Sequence, residues 1–439
     1  MSGAWTACDG GVGPRVELCD GLDDDCDGTP DGAMASCPAV PHASAICASG
    51  SCEIASCEVD WADCDGDASN GCEGRAGACC PVDCAWGCTG ATCHAATSVT
   101  VGLDFACVLR DDGRVACWGA NGWGQLGDGT GEPHRLPAVV PGLSDVTRVV
   151  AGFQTVCAIW GGGRLSCWGR NASADLGFGY GLDDVTTPRE HTFPLSVVDV
   201  SLGIEFTCVA LSDGRVQCAG QNSFGQLGDG TTVARPTFTA TADVTDVVAL
   251  TTYDSHTCAL RRDSHVSCWG YCALHKCGVG DSGSVRRPLE MVGVTNVAIV
   301  VTGDDHTCVS FTDGTMACVG VNGLGEIGIG TTDTPIRTAV VTPGVSSVAF
   351  PFAFRASFAM TLSGEAWKWG SADLRGDTMT AGILSPVRAP NLDGMTQIDS
   401  GGRAACGVRD GAVFCWGQGS LLADGVFLRS PTPVRVLPP

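Results

Sequence analysis

Long apolar runs, basic charge, helical periodicity and catalytic signatures are all scarce in this 439-residue sequence, and each shortage removes a class of function. No stretch reaches the roughly 18 uninterrupted apolar residues that a membrane-spanning helix needs. The nearest approach, Ala349 to Leu362, is broken by Pro351, Arg355 and Ser357. Lys and Arg total 25 against 48 Asp and Glu, and the net charge of -23 repels phosphate backbones and anionic headgroups. Nucleic-acid binding and simple electrostatic membrane binding are thereby disfavoured, and a cationic partner fits better. Nowhere do apolar residues recur at the 3.6-residue period of a long helix. A Gly-x-Ser-x-Gly elbow, a phosphate loop, a His-Glu-x-x-His pair and a dinucleotide fingerprint are all missing. Binding is therefore expected before catalysis, with a hydrolase or lyase as the alternative, because catalytic sites can be assembled from loops far apart in the chain. A basic segment followed by an apolar one is also lacking at Met1, where the chain opens directly into Cys-rich material ending at Cys8. For a chain so rich in cysteine, this predicts a precursor that starts further upstream.

Glycine and cysteine are what the sequence has in excess, at 62 and 28 residues. So much glycine suits frequent tight turns between short strands, which predicts an all-β fold. So much cysteine fits a disulfide framework in an oxidising compartment or a metal-rich protein, and its distribution separates the two. Residues 1–95 hold 14 of the cysteines and 16 acidic side chains against two basic ones, Arg15 and Arg75. Such a segment has little apolar material for a core and depends on cross-links or bound ions.

From residue 96 onward a repeat governs the chain. The phrase Cys107-Val-Leu-Arg-Asp-Asp-Gly-Arg-Val-Ala-Cys117-Trp118-Gly119 recurs from Cys157, Cys208, Cys258 and Cys308, with degenerate copies from Phe358 and Cys406, making seven units of 48 to 51 residues. Each unit reads as a hairpin, a Gly-rich turn such as Gly124-Gln-Leu-Gly-Asp-Gly-Thr130, a Pro-marked strand and a β-branched strand such as Val146 to Val150. Four short strands per unit is a propeller blade, so a seven-bladed β-propeller over 96–439 is predicted, preceded by a small disulfide-rich segment over 1–95. The chain begins inside one unit and ends with Pro433-Val-Arg-Val436, which predicts first and last blades completed from opposite ends of the chain.

The cysteine pairs test the hairpin. Setting Cys107 opposite Cys117 places Asp111-Asp112-Gly113 in a three-residue loop with glycine at the left-handed position. In the last unit, one residue shorter, Cys406 and Cys415 stay opposite if Asp410-Gly411 forms a two-residue turn. Opposite residues of an antiparallel pair lie about 4.5 to 5.5 Å apart at Cα, within disulfide range. The sixth unit loses both cysteines together, to Phe358 and Lys368, as a covalent pair predicts. Disulfides are expected at Cys107 with Cys117, Cys157 with Cys167, Cys208 with Cys218, Cys258 with Cys268, Cys308 with Cys318 and Cys406 with Cys415, against the alternative of buried free thiols. Cys272 and Cys277, inside the fourth unit's turn, are expected to bridge locally. Trp118, Trp168, Trp269, Trp369 and Trp416 read as packing between blades, or else as the lining of a ligand groove. His256 and His306, two residues before a cysteine, read as structural groups in preference to catalytic bases.

These residues resemble the regulator of chromosome condensation repeat family, whose unit carries a similar His-Thr-Cys, Asp-Gly, Trp-Gly and Gly-Gln-Leu-Gly series. The resemblance covers roughly residues 96–439 and implies a seven-bladed propeller. Eukaryotic members of the family act as guanine-nucleotide exchange factors or chromatin-binding proteins, and secreted bacterial relatives include an inhibitor of β-lactamases. This chain departs from the nuclear exchange factor in its acidic balance, its many cysteines and its lack of a basic tail.

Within 1–95, Cys19 to Gly28 and Cys57 to Gly66 share a Cys-x6-Cys spacing followed by acid and glycine and look like a duplicated module. Asp23, Asp25 and Asp27 alternate before Gly28, the opening of a calcium loop of EF-hand type, with Asp31 at a ninth-position ligand and Met34 where a bidentate Glu is expected. Asp63, Asp65 and Asp67 repeat the pattern with Ala68 in place of glycine. Weak calcium binding of the extracellular kind is expected, against a merely solvated acidic loop; the motifs resemble Asp-rich metal-binding motifs of bacterial surface proteins. Zinc on Cys84, Cys88, Cys93 and His94 is the lesser alternative. Taken together, the sequence predicts a monomeric, secreted or cell-surface bacterial scaffold that binds a protein or glycan through a propeller face, with an exchange factor for a small GTPase as the other alternative.

Overall fold

The computed structural model describes residues 94–180, 183–280, 283–345, 356–371, 382–402, 404–417 and 430–437, and before residue 94 the segments 18–19, 36–48, 51–58, 61–62, 74–75, 86, 88–89 and 92–93. The chain divides into two compact units, Met1–His94 and Ala95–Pro439. In the first unit, Ala43–Ala48 pairs antiparallel with Ser51–Cys57. Disulfides from Cys19 to Cys47 and from Cys37 to Cys52 fasten this hairpin, supplying the order that its half-exposed strands do not. Cys93 is also disulfide-bonded, which removes one ligand from the zinc alternative. The calcium expectations at Asp23, Asp25, Asp27, Asp31, Asp63, Asp65 and Asp67 lie outside the described residues.

The second unit is a seven-bladed β-propeller. The first blade runs outward from Ala96–Val101 through Phe105–Arg110 and Val115–Gly119 to His134–Val139. Blades two to five repeat this four-stranded meander from innermost strands Val146–Ala151, Val197–Gly203, Val247–Tyr253 and Val297–Thr302. Blade six shows three strands among the described residues, Ala356–Met360, Ala366–Gly370 and Ile383–Arg388. Blade seven runs from Gln397–Gly401 to Ser430–Arg435. Among the described residues, helix is limited to the 3-10 turns Ala273–His275 and Pro390–Leu392, and no helix is long and apolar enough to cross a membrane.

Among the described residues every blade is built from consecutive strands, which corrects the expectation that opposite chain ends share one. The repeated phrase starts at the second strand of a blade, so reading units from it misplaces the boundary. Ala96–Val101 already supplies the innermost strand of blade one, and Ser430–Arg435 the outer strand of blade seven. Closure comes instead from side chains. The backbone N–H groups of Val99 and Val101 donate to Gln397 Oε1 and Asp399 Oδ2, each at 2.9 Å, and Ala96 N–H donates to the Gly411 carbonyl at 2.7 Å.

The hairpins follow the residue count. Cys107 lies opposite Cys117 and Cys406 opposite Cys415, and the sixth hairpin sets Phe358 opposite Lys368 in the same register. Gly113 takes φ +73°, while Asp410 and Gly411 take +52° and +74°, the left-handed pair a two-residue hairpin turn requires. All six hairpin pairs and the Cys272–Cys277 pair are disulfide-bonded, the hairpin pairs with Cα–Cα distances of 4.0 to 4.1 Å. Apolar residues of neighbouring blades make the core between them, as where Trp168 of blade two packs with Phe105, Leu126 and Val140 of blade one.

Candidate functional site

In a four-stranded meander the first and third connections fall at one end of the blade. The hairpin turn and the link to the next blade fall at the other. The first end carries the more varied chemistry. Its third connection, between the third and outer strands, is a loop of shared design in blades one, two, three and five. An asparagine opens it and its Oδ1 accepts the N–H five residues on: Leu126 on Asn121 at 2.9 Å, Leu176 on Asn171 at 3.3 Å, Leu227 on Asn222 at 3.0 Å and Ile327 on Asn322 at 2.9 Å. The buried Leu or Ile anchors the loop from below. Gln125, Gln226 and Glu326 accept the N–H groups of Trp123, Phe224 and Leu324, fixing the loop's crown.

In blades one to five, where this loop is described, a side chain two residues past the asparagine position stands at the crown. Trp123, Phe224, Leu274 and Leu324 stand there, 39 to 49% exposed, with Ser173 in blade two. Trp123 lies beneath the Arg170 guanidinium at 5.4 Å, and the Phe224 ring is 4.7 Å from that of Tyr271. Nearer the axis, the first connections add Leu103, Phe153 and Ile204 to the rim of the central channel, a cavity of about 520 Å³. The exposure of these apolar residues is built into their loops, by buried polar ties at Trp123, Phe224 and Leu324 and by the Cys272–Cys277 disulfide at Leu274.

The channel wall is polar and ties the ring together. Side chains of one innermost strand accept N–H groups of the next: Ala151 on Thr100 Oγ1 at 2.8 Å, Leu250 on Asp199 Oδ2 at 2.7 Å, Thr252 on Ser201 Oγ at 2.9 Å and Thr302 on Thr251 Oγ1 at 3.2 Å. Burial raises the Asp399 carboxyl to about 6, against hydrogen bonds from Val101 and Ser400. Burial raises Asp175 to about 6 as well, and pushes Asp199 upward against its Arg148 partner.

His256 and His306 are fully buried between blades, with His256 Nε2 3.2 Å from Thr307 Oγ1 and His306 Nε2 3.3 Å from Ser357 Oγ. Burial, reinforced by the Lys276 charge, lowers His306 to about 4 and holds His256 well below the usual imidazole range, so both are neutral spacers. The five repeated tryptophans are fully buried too. Trp168, Trp269 and Trp369 donate their indole N–H to carbonyls of the preceding blade, at Gln125, Gln226 and Glu326. None of these residues reaches the face.

A pH dependence follows from these opposed shifts. A histidine whose folded pKa lies below its unfolded value of about 6.5 loses stability as pH falls, whereas a carboxyl raised above about 3.9 gains it. Between pH 6 and 4 the buried His and Asp groups therefore act against each other. Asp399→Asn removes one gain, so its denaturation midpoint should fall more steeply on acidification than that of the parent chain, by up to about 2–3 kcal/mol over that interval. Parallel curves for the two chains in guanidinium titrations at pH 6 and 4 would contradict the assignment.

With this geometry in place, the comparisons give the class. Residues 112–159 match the regulator of chromosome condensation (RCC1) repeat, and 96–125 and 197–226 match a second description of the same repeat. These segments, in blades one to three, are similar to that repeat. Prp20p of Saccharomyces cerevisiae is similar in structure, with TM-score 0.62 and 21% identity over 71% of this chain and 82% of that one. Human WBSCR16 is similar with TM-score 0.61 and 21% identity over 70% and 84% of the two chains. Likeness at this identity carries the fold. No curated protein matches the sequence significantly.

Proposed function

We propose that this protein is a binding scaffold that works in an oxidising, extracellular or cell-surface setting and recognises a partner protein through the face of exposed loop crowns. The observation that carries the reading is the apolar residue presented at one loop position by four blades, at Trp123, Phe224, Leu274 and Leu324. Six hairpin disulfides in one propeller support the oxidising setting. The absence of a recognisable catalytic motif supports binding without chemistry. In this reading the Asp23 to Asp31 and Asp63 to Asp67 loops are weak calcium sites of the first unit, to be tested by calorimetric titration of the chelator-treated chain.

The double variant Trp123→Ala, Phe224→Ala should keep its denaturation midpoint within about 0.5 kcal/mol, because both side chains are partly exposed. It should also lose the proteins that the parent chain retains from the producer's envelope fraction and culture medium. Retention of the same proteins by the double variant would refute this face as the binding surface. Prp20p is described as binding Gsp1p and histones, which makes exchange on a small GTPase the second reading. Nucleotide release from such a GTPase is its direct assay.

A further inference from the structure

In a repeat array, features shared by the blades answer to the fold, and a blade that departs from them at its surface while keeping its core is where partner choice is made. Among blades one to five, whose loops at this end are described, blade four departs most. The loop's asparagine and buried leucine are replaced by Cys272 and Cys277, so a disulfide stands where four other blades have a side-chain hydrogen bond. Between them Leu274 and His275 both adopt left-handed φ, +57° and +60°, and Leu274 is 49% exposed.

Lys276 takes the place of Gln125 and Gln226. Instead of capping its own loop, it is fully buried, with Nζ donating to Asp254 Oδ2 at 3.2 Å, Asp305 Oδ1 at 3.4 Å and the Asp304 carbonyl at 2.9 Å, and lying 5.1 Å from the Tyr271 ring. Tyr253 takes the place of Gly102, Gly152, Gly203, Gly303 and Gly401 and lines the channel. A Cβ on Gly102 or Gly303 would lie 2.0 or 2.6 Å from the ring three residues on.

We infer that this blade-four sector, centred on Leu274, Tyr253 and Tyr271 and rimmed by Asp254 and Asp305, is the specificity-determining patch of the recognition face, and that it takes a partner-protein segment pairing an apolar with a cationic side chain. The inference rests on the proposed binding face and names its partner chemistry. Between the two bonded cysteines Leu274 takes a left-handed φ that Trp123, Phe224 and Leu324 do not share. The sector's described charge is oriented, with its one lysine inside and the Asp254 and Asp305 carboxylates 28% and 43% exposed outside. A segment carrying both apolar and basic groups satisfies this surface, whereas an acidic one meets repulsion.

Three fluorescein-labelled decapeptides, of alternating Arg and Leu, Glu and Leu, and Arg and Ser, would be titrated by anisotropy against the oxidised full-length chain at low salt. The Arg/Leu peptide should bind about tenfold or more tighter than either of the others, since each lacks one half of the chemistry. Cys272→Asn with Cys277→Leu restores the loop type of the other blades, so the fold persists while the patch is reshaped. That variant and Leu274→Asp should each weaken the Arg/Leu peptide by about tenfold, with Trp123→Ala changing it less than about twofold. If Trp123→Ala weakens the peptide and the blade-four variants do not, the face stands and the sector falls. Equal binding of the Glu/Leu or Arg/Ser peptide, or no saturable binding of Arg/Leu, overturns the partner chemistry, leaving the Trp123, Phe224 retention experiment to judge the face.

Discussion

Replacing Trp269 with alanine should destabilise the propeller by about 3–5 kcal/mol, the range for truncating a fully buried tryptophan. The indole is 0% exposed and its N–H donates to the Gln226 carbonyl of blade three at 2.9 Å. The ring also fills space that no neighbour can recover. Gly228, at φ +67°, lies so close that a Cβ on it would be 2.8 Å from the indole nitrogen. Truncation therefore leaves a cavity at a blade junction and a buried carbonyl whose remaining donor is the Thr257 hydroxyl at 3.5 Å. Trp269→Phe should lose less, because it keeps most of the apolar volume. Leu362→Ala, at a side chain 90% exposed, should change the midpoint by less than about 0.5 kcal/mol. A Trp269→Ala midpoint within about 1 kcal/mol of the parent would mean that the junction collapses around the loss.

The second large effect belongs to the disulfides. Each hairpin bond closes a loop of nine or ten residues, for which the chain-entropy relation gives about 2.5–3 kcal/mol through restriction of the unfolded chain. Cys258→Ala with Cys268→Ala should lower stability by about that amount, read from denaturant midpoints. Loss of all six bonds should match or exceed the 5–15 kcal/mol typical of a folded protein, so the fully reduced chain should fail to refold at 37 °C. Blade six provides an internal contrast. Its hairpin holds the same register with Phe358 opposite Lys368, and Phe358 is buried against Trp416 with ring centroids 6.2 Å apart. Packing there does part of what a covalent bond does elsewhere. Cooperative refolding of the fully reduced chain would show that the propeller core suffices without cross-links.

Both effects lie in residues the sequence displayed openly, and the face does not. Seven units, the Asp-Gly turns and the opposed cysteines were legible because each depends on spacing along one hairpin, and a shift of one residue would turn every side chain to the wrong side of its sheet. The blade boundary was misread for a related reason. The densest part of the repeat begins at the second strand, and nothing local marks which strand lies nearest the axis. Leu274 and Trp123 occupy one repeat position in the sequence, yet the exposure of Trp123 follows from a loop held by Asn121 and Gln125, with partners up to nine residues away, and that of Leu274 from a loop closed by the Cys272–Cys277 disulfide.

Composition and spacing alone determined the all-β class, the seven units, the hairpin pairing and the oxidised state, because strand pairing and disulfide geometry act over about ten residues. Tertiary structure alone decided that the ring closes through Gln397 and Asp399 on the backbone of blade one, across 298 residues. It also decided that Lys276 points inward to Asp254 and Asp305 while Leu274 points out. Contacts between blades are set by rotation about a common axis, and no period along the chain records which side chains that rotation brings together.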